Sequence, residues 1–392
     1  MPLELALNAI DDDALIQLTR DLIQVDSINP PGAEQAVAEL FADRARSLGL
    51  EAQIREVTPG RPNVLVRLPG SGAEATLLYL GHTDTVPPGE VPWTYPPLSG
   101  ELADGRIWGR GAADMKSGLA AMLVAMAALK HANVTLPGDV VLAAVVGEEV
   151  DCAGSKHLLA ERGMDNVGWL VISEPTALDF VVAHRGALWM EATTYGKTAH
   201  GSMPHLGVNA ILGMMEFIHR VQGFEHPWQP HPLLAPPTVS VNTIDGGVKT
   251  NVVPDICRAT IDMRTLPGQH HPEILAALQR LAEDMAAHQP GLRAEVRAVN
   301  DEPPVQTPID HSLVLAAQRA AELTLGGQRP VRAATYYTDA SVLQPPTGVP
   351  TLIVGPGEDG QAHQPNEWVS VDALKVAARL FTVLPSAVYG EI

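Results

Sequence analysis

Seven side chains in this sequence have the types and spacing to do chemistry together: His82, Asp84, Asp114, Glu148, Glu149, Glu174 and His363. His82 and Asp84 stand two residues apart, directly after the apolar run Leu77-Leu78-Tyr79-Leu80-Gly81. Alternate residues of an extended backbone point to the same side, so this imidazole and carboxylate can share the mouth of one strand. A metal-bound histidine usually gives its other ring N–H to a carboxylate, which fixes the tautomer. Taken alone, the pair is equally well read as a strand-end histidine with a chance acidic neighbour. The other acidic residues change that. Apolar segments at Val140–Val146 and Trp169–Ile172 end in Gly147-Glu148-Glu149 and Ser173-Glu174, a glycine-rich turn leads to Asp114, and a late loop offers His363. Ligands of open α/β sheets bind beyond the carboxyl ends of the strands, and four such placements are hard to attribute to chance.

Mixed imidazole and carboxylate donors suit zinc, with manganese or cobalt as alternatives. The absence of thiolates fits a catalytic rather than a structural site. Charge sets the number of ions. Three carboxylates (Asp114, Glu149, Glu174) beside two neutral imidazoles leave one metal overly anionic, whereas two divalent ions and one hydroxide reach neutrality. Two ions about 3.5–4 Å apart are therefore favoured. Glu148 and Glu149 are adjacent, and a regular strand would aim them oppositely. The backbone must leave the strand there, which Gly147 permits.

The elements that must position these groups follow from the apolar pattern. Asp11-Asp12-Asp13 precede a first helix marked by Leu15, Leu18, Leu22 and Val25, and a second runs to Leu48 and stops at Gly49. Strands are predicted at about 50–57, 62–68 and 75–81, and a strong helix from the Asp114 segment to about His131. Strands alternate with helices in a pattern that predicts an α/β sheet, mixed and mostly parallel, flanked by helices. Residues 186–298 read differently, as an α+β domain with a proline-rich loop at 227–237. We therefore expect a catalytic domain in two parts, 1–185 and 299–392, interrupted by that insertion. A chain of 392 residues also exceeds the usual single core.

Composition narrows the function further. A net charge of −19 argues against nucleic acid or an anionic membrane as partner. Two distant cysteines, Cys152 and Cys257, imply neither a disulfide framework nor a thiolate zinc site. No signal peptide or membrane span is evident, so a cytoplasmic protein is expected.

The motifs GHTDTVP, GRGAADMKSG, GEE and SEPT, in that order, resemble the zinc amidohydrolase and peptidase family of acetylornithine deacetylase, succinyl-diaminopimelate desuccinylase, aminoacylase and glutamate carboxypeptidase. The likeness continues through GKTAHGSMPHLGVNAI, NVVPDICRATIDMR and GPGEDGQAHQPNE, over roughly residues 10–390. It implies that His82 and Glu174 hold one zinc, Glu149 and His363 the other, with Asp114 bridging. It implies that Glu148 is the general base and that Asp84 orients His82. It also implies that the inserted domain is a lid and dimerisation domain. His200 would steady the reacting carbonyl oxygen, often across a homodimer, while Asn251 and Arg264 would meet substrate. A cis peptide after Asp114 is implied as well. Arg264 could instead pair with Asp262. The sequence departs from the family at Gly147, where a polar residue often stands, and at Asp151-Cys152. His205, His270 and His271 read as solvated, and Met115, Met122 and Met126 as core.

The resulting expectation is hydrolysis of the amide of an N-acyl-L-amino acid, with a dipeptidase or carboxypeptidase as the rival. A non-catalytic binding protein would have lost a ligand or the base, and none is missing.

Overall fold

The computed structural model describes residues 2–392. The chain forms two compact units. The first comprises Met1–Val182, Gln306–Arg332 and Thr338–Ile392, and the second Ala183–Val305 with Ala333–Tyr337.

The first unit is built on a mixed sheet. Strands Val140–Val145, Thr76–His82, Val167–Ile172 and Thr351–Ile353 lie side by side in that order and run parallel. Arg61–Leu68 and then Glu51–Thr58 extend it antiparallel on one side, and Phe180–His184 pairs antiparallel with Thr351–Ile353 on the other. The parallel strands carry Val, Leu, Ile and Ala on both faces; three are buried almost throughout, and Val167–Ile172 is buried from Leu170 onward. That is the pattern of strands covered by helices on both sides.

Helix Ser117–His131 lies in the core, with twelve residues from Ser117 to Leu129 buried. The stretch Ala112–His131 is long and apolar enough to cross a membrane, yet 94% of its most apolar window is buried inside the fold. It packs on the C-terminal helix Val371–Val388 and on the helix Asp12–Gln24. Asp11 caps the latter, accepting from the backbone N–H groups of Asp13 and Ala14. Lys116 is fully buried and donates to the carbonyls of Leu22 and Val25 at the other end of that helix, 2.9 Å each. Burial pushes this lysine down to about 7. A further short helix at Pro2–Asn8 precedes the first one expected from sequence.

The ends of the inserted segment are held together within the first unit: Thr307 N–H donates to the Val182 carbonyl at 2.7 Å.

The second unit is a four-stranded antiparallel sheet, in the order Thr238–Gly246, Ile256–Thr265, Gly186–Tyr195, Arg293–Glu302. Helices Ala210–Gln222 and His271–Ala287 cover one face. Burial alternates along Ile256–Thr265, with Cys257, Ala259, Ile261, Met263 and Thr265 inward. These meet Met214, Phe217, Ile274 and Leu278 from the helices. Its boundaries are wider than 186–298. The last strand continues to Glu302, pairing with Ala187, and Arg185 N–H donates to the Ala334 carbonyl. The first extension ends at Pro303-Pro304, while the contact to Ala334 has no counterpart in the sequence pattern.

Candidate metal centre

The four parallel strands all deliver site residues at their carboxyl ends. Thr76–His82 ends in His82 itself. Val140–Val145 is followed by Gly147, whose φ of 82° turns the chain out of the strand. Glu148 and Glu149 thus leave the strand alternation and need not point apart. Val167–Ile172 leads to Glu174, and Thr351–Ile353 to the loop that bears His363. Asp114 lies between Gly111, at a φ of 86°, and the helix that starts at Ser117. The peptide bond after Asp114 is cis. Gly118 stands where any side chain would strike Ser173, with Ser173 Oγ 2.2 Å from a Cβ placed there. The start of this helix can therefore lie against the Glu174 loop.

Five side chains converge. His82 Nδ1 donates to the backbone carbonyl of Asp84 at 2.9 Å. That bond places the ring proton on Nδ1 and leaves Nε2 as a donor atom for a metal. Nε2 is 3.0 Å from Asp114 Oδ1 and 3.8 Å from Glu174 Oε1. On the other side His363 Nε2 is 2.9 Å from Glu149 Oε2 and 3.5 Å from Asp114 Oδ2. The two oxygens of Asp114 therefore face two different histidines. One atom each from His82, Asp114 and Glu149 lies within 4.8 Å of the others, as does one each from His82, Glu148 and Glu174.

Electrostatics mark the cluster as short of positive charge. Burial and the Glu174 carboxylate push Glu148 well above the usual carboxylate range. Burial and the Asp114 carboxylate do the same to Glu174. Glu149 is raised by burial and Asp114, against the pull of His363. Burial would hold the His82 imidazole down, but its bond to Asp114 and the charges of Glu174, Asp114 and Glu148 raise it well above its ordinary value. The Glu149 hydrogen bond raises His363. For Asp114, burial is the largest influence and would raise it, but the His82 hydrogen bond, the charges of His82 and His363 and a bond from Glu174 together hold its carboxyl below the usual value.

The donor set fits divalent cations. Glu174 Oε1 is buried and has no hydrogen-bond partner. Ligands about 2.0–2.2 Å from a tetrahedral ion stand about 3.3–3.6 Å from one another, and the separations of 2.9–3.8 Å across this cluster bracket that range.

Asp84 does something the motif did not indicate. Its carboxylate is 3.6 Å from His82 Nδ1, and the ring N–H goes to its carbonyl instead. The carboxylate accepts from the backbone N–H of Gly147, Glu148 and Glu149 at 2.9, 3.2 and 3.2 Å, and from Asn29 Nδ2 at 2.9 Å. Asp84 thus orients His82 through its backbone and holds the Glu148-Glu149 turn through its side chain. Asp339, also fully buried, was not singled out from sequence, although its charge helps to raise both Glu148 and Glu174.

The remaining residues lie in the second unit. His200 is exposed, with Nδ1 2.8 Å from Ser202 Oγ, and Asn251 is exposed too. Arg264 Nε is 3.0 Å from Asp262 Oδ1, so the alternative pairing left open by the sequence is formed. His205 and His270 are exposed as expected, whereas His271 is buried, held between Thr265 Oγ1 at 2.7 Å and Asp301 Oδ1 at 2.5 Å. It opens the helix His271–Ala287 and locks that end to two strands, a tertiary role that a pair of adjacent histidines does not signal.

The profile of peptidase family M20/M25/M40 matches residues 78–386. The chain belongs to this family. Acetylornithine deacetylase of Proteus mirabilis is 32% identical over 369 residues, covering 91% of this chain and 92% of that protein. A probable succinyl-diaminopimelate desuccinylase of Staphylococcus epidermidis is 29% identical over 394 residues, covering 93% and 95%. Among solved structures, aminopeptidase PepT of Bacillus cereus is similar at a TM-score of 0.80 and 26% identity, covering 97% of this chain and 99% of that one. As an M20/M25/M40 member the chain is a hydrolase of amide bonds.

Proposed function

We propose that this enzyme hydrolyses the amide bond of an N-acyl-L-amino acid, using two divalent metal ions, zinc by first choice. His82 and Glu174 would hold one ion, Glu149 and His363 the other, and Asp114 would bridge. The observation that carries this reading is Asp114, with Oδ1 3.0 Å from one histidine and Oδ2 3.5 Å from another. The chemistry supplied by two ions in such a cage is activation of water and polarisation of a carbonyl.

The protein's own part falls to Glu148. Its carboxyl is buried and held high by its surroundings, which brings a carboxylate base nearer to neutral pH. It takes the proton of the attacking water and passes it to the departing amine. Asp84 keeps Glu148 in place through the backbone. Arg264 would take the substrate carboxylate after exchanging its partner Asp262, and Asn251 would also meet substrate. His200 would donate to the carbonyl oxygen as charge develops there.

The strand Thr238–Gly246 lies at the edge of the second unit's sheet and is exposed along nearly its whole length. Unpaired edge groups favour pairing with another chain, and a homodimer joined at this edge is our reading of the assembly.

The likeness to an aminopeptidase supports a second reading, cleavage of short peptides. Metal analysis of purified protein, with a hydrolysis screen of N-acetyl and N-succinyl amino acids against di- and tripeptides, separates the two. Turnover of peptides alone would overturn the deacylase reading, and absence of bound metal would overturn the cage.

A further inference from the structure

Glu367 closes the segment His363-Gln364-Pro365-Asn366-Glu367 and is fully buried. Its Oε1 accepts from the backbone N–H of Ala113 at 2.8 Å and of Asp114 at 3.0 Å. Its Oε2 accepts from Gly111 N–H at 3.1 Å and from Arg110 Nη1 at 2.6 Å. Its backbone carbonyl accepts from Gly109 N–H at 2.9 Å. One residue thus binds nearly every step of the turn 109–114, from the far end of the sequence. The carboxylate offers about four acceptor positions, and each of its two oxygens takes two donors.

What this turn presents is Asp114, and what stands four residues before Glu367 is His363. Both face one another at 3.5 Å. The next residues, Trp368–Ser370, pair with Arg106–Trp108, so the chain is anchored directly after Glu367 as well. Arg110 in turn stacks over Trp93, 5.2 Å from the ring centroid. Displacing Glu367 would move the bridge and the His363 loop relative to each other.

We propose that Glu367 is a positioning residue whose buried carboxylate sets the Asp114 turn against the His363 loop and so fixes the metal position between Asp114, Glu149 and His363. This inference rests on the two-metal reading above. Glu367→Gln keeps the volume but puts an NH2 group against two donors in either orientation. The position flanked by His82 and Glu174 shares Asp114 but takes nothing from the His363 loop, so it depends on Glu367 through one ligand rather than two.

The test is calorimetric titration of the metal-free protein with zinc, read beside the near-UV circular dichroism of the same samples. Asp139→Asn is the control. Asp139 precedes strand Val140–Val145, at the end of the sheet away from the centre, and pairs with Arg67 at 2.6 Å. Wild type should bind two ions. Glu367→Gln should stay folded and bind the second ion about 10–100-fold more weakly, with the first ion changed far less and Asp139→Asn unchanged. If wild type binds fewer than two ions, the two-metal reading fails and takes this inference with it. If wild type binds two and Glu367→Gln gives the same titration, only the positioning role is overturned. Equal weakening of both ions, or matching weakening in Asp139→Asn, would also overturn it, because that is loss of general stability. Should Glu367→Gln fail to fold, Arg110→Lys alters the Nη1 bond to Oε2 and leaves the three backbone donors of Glu367 in place. It should weaken the second ion selectively by severalfold, and a wild-type titration would sink the proposal.

Discussion

Asp84 holds Glu148 by its backbone: Oδ1 of the aspartate accepts the glutamate N–H at 3.2 Å, and the same oxygen takes Gly147 N–H at 2.9 Å. His82, by contrast, is oriented by the Asp84 carbonyl, which a side-chain substitution leaves in place. Asp84→Asn should therefore disturb the base more than the histidine. We expect metal content close to wild type and kcat lowered by about 10–100-fold. Loss of metal with unchanged turnover per bound metal would return Asp84 to the role of His82 partner.

Glu148→Gln is nearly isosteric and removes only the proton acceptor. Metal should be retained and kcat should fall by about 10²–10⁴-fold, the usual contribution of a positioned acid–base group. A variant that keeps wild-type turnover would place the base elsewhere.

His184 gives an acid-sensitive fold. Burial, the largest influence, pushes its imidazole down to about 4, against hydrogen bonds to the backbone. In the unfolded chain a histidine titrates near 6.5. Between those values the unfolded chain holds a proton that the folded one rejects, so stability rises with pH there and falls as pH drops from about 6.5 toward 4. The full effect is about 3 kcal/mol at most. His184→Asn keeps an N–H for the Arg185 carbonyl and cannot titrate. Urea midpoints at pH 7 and pH 4.5 should fall less for this variant than for wild type. Equal falls would remove His184 from the account.

If the chain pairs as proposed, mixed dimers test the reach of His200. Neither His200→Ala nor Glu148→Gln chains should work alone. If His200 serves the partner's centre, exchanging subunits should restore one working site in some mixed dimers. No recovery despite proven exchange would confine His200 to its own chain.

The carboxyl ends of buried strands were legible because an apolar run that stops at a polar residue is visible in sequence. His82, Glu174 and the Glu148-Glu149 pair were found that way, and Gly147 revealed the bend. The function of Glu367 was not legible, although it lies in a motif that was noticed. Apart from Arg110, the partners of its carboxylate are backbone N–H groups more than 250 residues away, and backbone donors leave no mark on residue type. The same holds for the Asp84 carboxylate. Strand Phe180–His184 went unseen because it follows the Glu174 loop closely and runs straight on toward the insertion. His271 was misread for a related reason. Its burial comes from Thr265 and Asp301, which only the folded sheet brings to it.

Strand Thr351–Ile353 sits between Val167–Ile172 and Phe180–His184, and this sets an order of events during synthesis. Until the ribosome has passed residue 353, those two earlier strands have no neighbour between them. The loop with His363 follows only after that. A nascent chain can gather His82, Asp114, Glu149 and Glu174 early, but it lacks the second imidazole, His363. Completion of the cluster thus waits for residue 363, and a product truncated before it is left with His82 and the carboxylates alone.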